Sequence, residues 1–214
     1  MQKQIFFVTG IDTDAGKTFA TGMIAKMLHQ QNKSVITQKL AQTGCTEISS
    51  DIVDHRRLMG VELFAEDADG TTCPFLFSFP CSPHLAAQID GKDIDVQTID
   101  NSTKKLLNTF DIVLIEGAGG LYVPINQSLF TIDFIKERNY PLILVSSAKL
   151  GSINHTLLSL EACKKKAINV IGVIYNHYPQ TPEVIFNDSR AIIKDYTKQM
   201  YPHAFFEDLP IIQN

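Results

Sequence analysis

The sequence predicts an α/β fold, a parallel sheet with helices on both faces in three layers. Two observations carry the prediction. Short β-branched apolar runs recur at 5–9 (IFFVT), 34–40 (SVITQKL), 111–116 (DIVLIE), 141–147 (PLILVSS) and 169–176 (NVIGVIYN), and near-continuous apolar runs suit strands covered on both faces. Between them lie stretches with helical spacing at 17–31, 49–59, 95–108, 151–166 and 183–199. Strands alternating with helices close as a parallel sheet with right-handed crossovers. The stretch from Glu62 to Gly91, with Pro74, Pro80 and Pro83, breaks the rhythm. It is expected to form a strand plus loops that cover part of a site.

At 214 residues the chain suits one domain, 1–214, since domains run about 100 to 200 residues. A formal net charge of −4 and the lack of a basic stripe with interleaved aromatics argue against nucleic acid as a partner. The Lys164–Lys166 run fits the solvated end of a helix. Cys45, Cys73, Cys81 and Cys163 show no CxxC pairing and no histidine at zinc-ligand spacing, so they are expected to be thiols of a reducing compartment. The opening MQKQIFFVTG has too short an apolar run for a signal-peptide core. No later run approaches the roughly 18 apolar residues of a membrane span. A soluble cytoplasmic protein with no membrane partner is expected.

Ligands on parallel α/β sheets bind outside the carboxyl ends of the strands, so the residues after each strand carry the functional reading. After the first comes GIDTDAGKT, residues 10–18. Glycines allow a compact loop whose N–H groups face an anion, the next helix points its positive end there, Lys17 adds a charge, and Thr18 can ligate Mg²⁺. Five residues separate Gly10 from Gly16, where the usual GxxxxGK[ST] loop has four. The longer loop keeps every contacting group, and the architecture becomes P-loop NTPase-like.

After the second strand, QKLAQTG places Lys39 at the strand's end with Thr43 beyond. A solvated terminal lysine fits that pattern as well as a substrate-facing one. Asp51, near the start of the helix in SSDIVDHRRL, fits simple dipole stabilisation as well as a ligand role. The strand DIVLIEGAGG has four apolar residues ending in Glu116, as a Walker-B strand ends on its carboxylate; the glycines at 117, 119 and 120 allow close backbone approach, and Gly117, Ala118 and Gly119 are taken as nucleotide-binding. A carboxylate at the end of so apolar a strand implies a metal or a partner, since burying a bare charge costs several kcal/mol. Thr18, Asp51 and Glu116 form a hard-oxygen set suited to magnesium.

Gly151 and Ser152 open a helix whose free N–H groups suit a carboxylate or phosphate, although a plain serine N-cap fits too. Asn176 ends the fifth strand with an amide able to read a nucleobase edge, and a turn-forming asparagine fits the same place. His84 and His155 have no nucleophile or orienting acid at a readable spacing and are taken as helix-start or packing residues.

The order TGIDTDAGKT, KLAQTG, Asp51, SPH at 82–84, IEGAGG, AKLGSINH, YNH and EDLP resembles the dethiobiotin synthetase family along nearly the whole chain. The resemblance implies an ATP- and Mg²⁺-dependent cyclo-ligase that joins the adjacent amines of 7,8-diaminononanoate through CO2 to give dethiobiotin, ADP and phosphate. An amine carbamate would attack the γ-phosphate, and the second amine would close on the resulting anhydride. The resemblance further implies that Asp14, Ala15, Gly16, Lys17 and Thr18 wrap the ATP phosphates. Lys17 and Lys39 would neutralise charge on the carbamate and the transferring phosphate, and Thr13 and Thr43 would hold the diamine end. Thr18, Asp51 and Glu116 fall on magnesium ligands. Gly151, Ser152, Ile153 and Asn154 match the site for the substrate's distant carboxylate across a homodimer interface. Asn176, His177, Pro210, Ile211 and Ile212 match the base-binding edge. Thr43 replaces a serine, and Leu40 stands where members often carry proline.

A ParA/MinD-like switch ATPase is the alternative. That class carries a lysine five positions before the loop lysine, where this chain has Asp12. An amidotransferase-type synthetase would need a glutaminase domain for which the chain has no room.

Overall fold

The computed structural model describes residues 3–211. Six strands form one parallel sheet in the order β2-β5-β1-β6-β7-β8: β1 (Gln4–Gly10), β2 (Val35–Lys39), β5 (Ile112–Gly120), β6 (Leu142–Ser147), β7 (Val170–Asn176) and β8 (Phe205–Leu209). Two-residue strands β3 (Gln42–Thr43) and β4 (Leu76–Phe77) pair separately. The helices are α1 (Lys17–Gln30), α2 (Ser50–Met59), α3 (Ala65–Ala68), α4 (Pro83–Ile89), α5 (Val96–Thr109), α6 (Thr131–Arg138), α7 (Ser152–Lys165) and α8 (Glu183–Met200).

Strand alternation divides the apolar residues between two layers. Phe7, Val113, Ile115, Leu144 and Val173 point to one face, where they meet Ile99 and Leu106 of α5, Phe134 of α6, Leu160 of α7 and Ile193 of α8. Val8, Val145 and Ile174 turn to the other face with Ala20 of α1, alongside Ile112, Leu114 and Val35 with Ala25 of α1 and Met59 of α2. The three-layer α/β expectation holds.

The five expected strands and five expected helices are present within a residue or two of their bounds. Two exceptions carry physical content. β5 runs through the glycines to Gly120 rather than ending at Glu116, because the Gly-rich segment keeps pairing with β1. The 62–91 stretch contains α3 and α4 as well as a short strand; α4 starts on Pro83, whose missing N–H costs nothing in a first helical turn. α6 and the edge strand β8 lie in segments where no element was expected.

Candidate functional site

The carboxyl ends of β1, β2 and β5 open into a cleft of about 540 Å³, within the range of small-molecule sites. Thr13, Asp14, Lys17, Thr18, Lys39, Thr43, Asp51, Glu116, Ala118 and Gly119 line it together, joined by Ser82 and Pro83 of the SPH segment. Sheet register explains the centre. Lys39 and Glu116 are paired neighbours on β2 and β5, and alternation puts both on the face covered by α1 and α2.

There the Lys39 ammonium sits 2.7 Å from Glu116 Oε1, donates to Gly117 O at 3.2 Å, and pairs with Asp51 at the start of α2. Thr18 Oγ1 also donates to Glu116 Oε1, at 3.1 Å. Burial opposes the charge on Lys39, but Glu116 and Asp51 outweigh it and hold the ammonium above the usual lysine range. Burial likewise opposes ionisation of Glu116, and Lys39 with His55 outweighs it, holding the carboxyl well below the usual carboxylate range. Lys39 is therefore no solvated strand terminus.

The loop itself is braced from within. Lys17 donates to Asp12 O and Thr13 O at 2.9 and 2.8 Å. Burial, helped by Lys39, pushes its ammonium down to about 8. Gly16 adopts φ +92°, and a Cβ there would run into the Asn176 amide. That amide donates from Nδ2 to Ala15 O at 3.1 Å, while its Oδ1 accepts from the Tyr178 N–H. Asn176 thus ties the end of β7 to the phosphate-type loop, with one N–H and one lone pair left for another partner.

Over residues 4–204 the chain matches the model of a family described as AAA domain. It is 49% identical over 209 residues to an ATP-dependent dethiobiotin synthetase of Pasteurella multocida, covering 98% of each chain. It is 54% identical over 203 residues to one of Haemophilus ducreyi, covering 95% of this chain and 96% of the relative. The chain belongs to the dethiobiotin synthetase family. An ATP-dependent dethiobiotin synthetase of Chlorobaculum tepidum is 49% identical over 193 residues, covering 90% of this chain and 81% of its own. A ParA family ATPase from Chlorobium tepidum shares the fold, with TM-score 0.55 at 15% identity, covering 99% of this chain and 85% of its own. That likeness concerns the fold alone.

Against the dethiobiotin synthetase pattern, the remaining expected residues separate into two groups. Asn176 pairs with Leu209 across β7 and β8, so Asn176, His177, Pro210 and Ile211 gather at one end of the sheet, outside the cleft wall. The His177 ring is engaged by Asp208 Oδ1 at 2.9 Å and by the Phe186 ring, and the His177 backbone N–H donates to Leu209 O. Ile212 lies outside the described residues. Gly151 caps α7 at φ +96°. Ser152 is buried with its Oγ 3.0 Å from Ser147 Oγ, while Asn154 is exposed beside Tyr122. The start of α7 lies along the outer side of the loop, by Asp12 and Ala15, and not on the cleft wall of its own chain.

His55 is the site residue that sequence reasoning missed. It is wholly buried on α2, with Nε2 2.7 Å from Glu116 Oε2 and Nδ1 2.9 Å from Thr37 Oγ1. A signal existed, since Asp51 and His55 are four apart and share a helix face. His84 and His155, by contrast, lie at the starts of α4 and α7 as expected. No cluster of three or more His, Cys, Asp or Glu gathers at metal-binding spacing among the described residues. Nor is any helix among them long and apolar enough to cross a membrane.

Proposed function

We propose that the chain closes the ureido ring of dethiobiotin, using ATP and Mg²⁺ to join 7,8-diaminononanoate and CO2, with ADP and phosphate released, as a cytoplasmic enzyme whose residues 1–214 form a single domain. The observation that carries the mechanism is the Lys39 ammonium held between Asp51 and Glu116 at the floor of a cleft walled by the 10–18 loop. The relatives' name supplies the reaction.

Phosphoryl transfer depends mainly on positioning and charge neutralisation, and the cleft is furnished for both. Backbone N–H groups from Asp14 to Thr18, at the positive end of α1, cradle the polyphosphate. Lys17, whose charge burial disfavours, gains a counter-ion when it leaves the Asp12 and Thr13 carbonyls for phosphate oxygens. Lys39 faces the carbamate and the transferring group, and Thr13 and Thr43 stand on the cleft wall to take the diamine end. Asn176 presents its remaining donor and acceptor to the base, beside His177, Pro210, Ile211 and Ile212.

The residues present fit a magnesium ion. The Asp51 and Glu116 carboxylates converge on a cationic group, Lys39, and the Thr18 hydroxyl bonds the same Glu116 oxygen; oxygen-only donors completed by phosphate suit that ion. When bound, Mg²⁺ would neutralise charge on the phosphate oxygens. The start of α7, Gly151, Ser152, Ile153 and Asn154, stands off its own chain's cleft with Gly151 and Asn154 exposed, which supports a homodimer in which it serves the neighbouring chain's cleft by binding the substrate's far carboxylate.

The test is direct. Protein incubated with the diamine, bicarbonate, Mg²⁺ and ATP is expected to yield dethiobiotin by mass spectrometry. ATP turnover indifferent to the diamine, with no dethiobiotin formed, would refute the reading.

A further inference from the structure

We infer that His55 is a positioning residue that fixes the rotation of the Glu116 carboxylate, and that its own tautomer is set by a buried chain running from Asp67 through Arg56 and Thr37. The inference rests on the proposed role of Glu116 as a cation ligand.

The hydrogen bonds leave one self-consistent assignment. Asp67 receives a two-pronged contact from Arg56, Nε to Oδ2 at 2.9 Å and Nη2 to Oδ1 at 2.8 Å. Arg56 Nη1 donates to Thr37 Oγ1 at 2.8 Å. Arginine has only donors, so that bond takes a lone pair of the hydroxyl and leaves its own proton to point elsewhere. The neighbouring atom is His55 Nδ1, at 2.9 Å. Thr37 donates to Nδ1, which must be bare, and the ring proton resides on Nε2. From there it reaches Glu116 Oε2 at 2.7 Å, and an ionised carboxylate can only accept. A proton on Nδ1 would leave the buried Thr37 proton without an acceptor, which a buried hydroxyl rarely tolerates.

Tying Oε2 to His55 turns Oε1 toward the cleft. Oε1 is the atom that meets Lys39 and Thr18 in the cleft. His55, Thr37, Arg56 and Asp67 are all buried and none of them lines the cleft. They act through Glu116. Outer partners of metal-binding carboxylates and histidines typically change metal affinity ~10-fold or more when removed.

Side-chain ¹⁵N NMR of the ligand-free full chain reads the tautomer. A protonated Nε2 and a bare Nδ1 are expected for His55, and an Nδ1–H or doubly protonated ring at neutral pH overturns the inference. Thr37→Val removes the hydroxyl at nearly constant shape. It is expected to weaken Mg²⁺ binding to the complex with a non-hydrolysable ATP analogue by ~10-fold, while affinity for the analogue without Mg²⁺ stays near wild type. His55→Leu should do the same, and His55→Gln, whose amide N–H can reach Glu116, should recover part of the loss. Unchanged Mg²⁺ affinity in a folded Thr37→Val protein also overturns the inference. If His55→Leu fails to fold, the wild-type spectrum and Thr37→Val still decide. These readouts do not involve dethiobiotin, so failure to form product would refute the proposed reaction and leave this test standing.

Discussion

Lys39 and Glu116 face each other across the β2–β5 register, ammonium to carboxylate at 2.7 Å, and the carboxylate has no exposure to solvent. The pair is at once a structural tie and a piece of the cleft floor. The two roles separate experimentally.

For catalysis, Lys39→Gln should lower dethiobiotin formation on the order of 10²-fold or more, the usual loss when a charge-stabilising donor is removed, while ATP affinity by titration calorimetry changes little. An equal loss of both would mean that Lys39 serves the nucleotide rather than the transfer.

For stability, removing one partner of a buried pair strands the other. Lys39→Met is expected to cost about 3–5 kcal/mol in denaturant unfolding. Glu116→Gln in the same chain should recover part of that, because the stranded charge is gone. Strictly additive effects would show that the two charges are not coupled.

The clasp between β7 and the loop can be opened without touching the phosphate-facing groups. Asn176→Asp replaces the N–H aimed at Ala15 O with an acceptor, opposing two oxygens in a buried place. A loss of about 1–3 kcal/mol in ATP affinity follows, and unchanged affinity would assign the clasp no part in shaping the loop.

The thiols give a pH dependence. Burial, opposed by Lys39, pushes Cys73 up to about 12, and burial does the same to Cys163. In the folded chain both thiols stay neutral where unfolded ones ionise. The stability they contribute is therefore complete below about 8.5, the ordinary thiol value, and is lost as pH rises from there toward 12. Alkylation of native protein near pH 8 should modify Cys45 and Cys81, which are partly exposed, and spare the buried pair. Because Cys81 lines the cleft, saturating diamine and nucleotide should slow its labelling. Fast modification of Cys73 would contradict its burial.

Shared sites make a stoichiometric prediction. Lys17→Gln and Asn154→Asp should each be nearly inactive alone, the second by placing a negative charge where the substrate carboxylate is proposed to bind. Mixed equally and allowed to exchange, half the dimers are hybrids with one intact site in two, so activity should return to about a quarter of wild type. No recovery at any ratio would place both elements in the same chain's site.

The sequence by itself determined the features that are local along the chain. Apolar runs of strand length mark β1, β2, β5, β6 and β7; a strand–glycine loop–helix succession marks the 10–18 cradle; and Glu116 at the end of an apolar strand declares a partnered charge. Each depends on a few consecutive residues. Tertiary structure decided what depends on register and on contacts distant in sequence. β8 is a strand because β7 offers it an edge to pair with, and α6 forms where its apolar side meets Phe7 through Phe134. Lys39 is buried rather than solvated because β5 sets Glu116 beside it. The spacing from Asp51 hinted at His55, but its role became legible when folding brought it against a carboxylate 61 residues away. A buried polar group reveals its role through the partner that satisfies it, and that partner is chosen by packing.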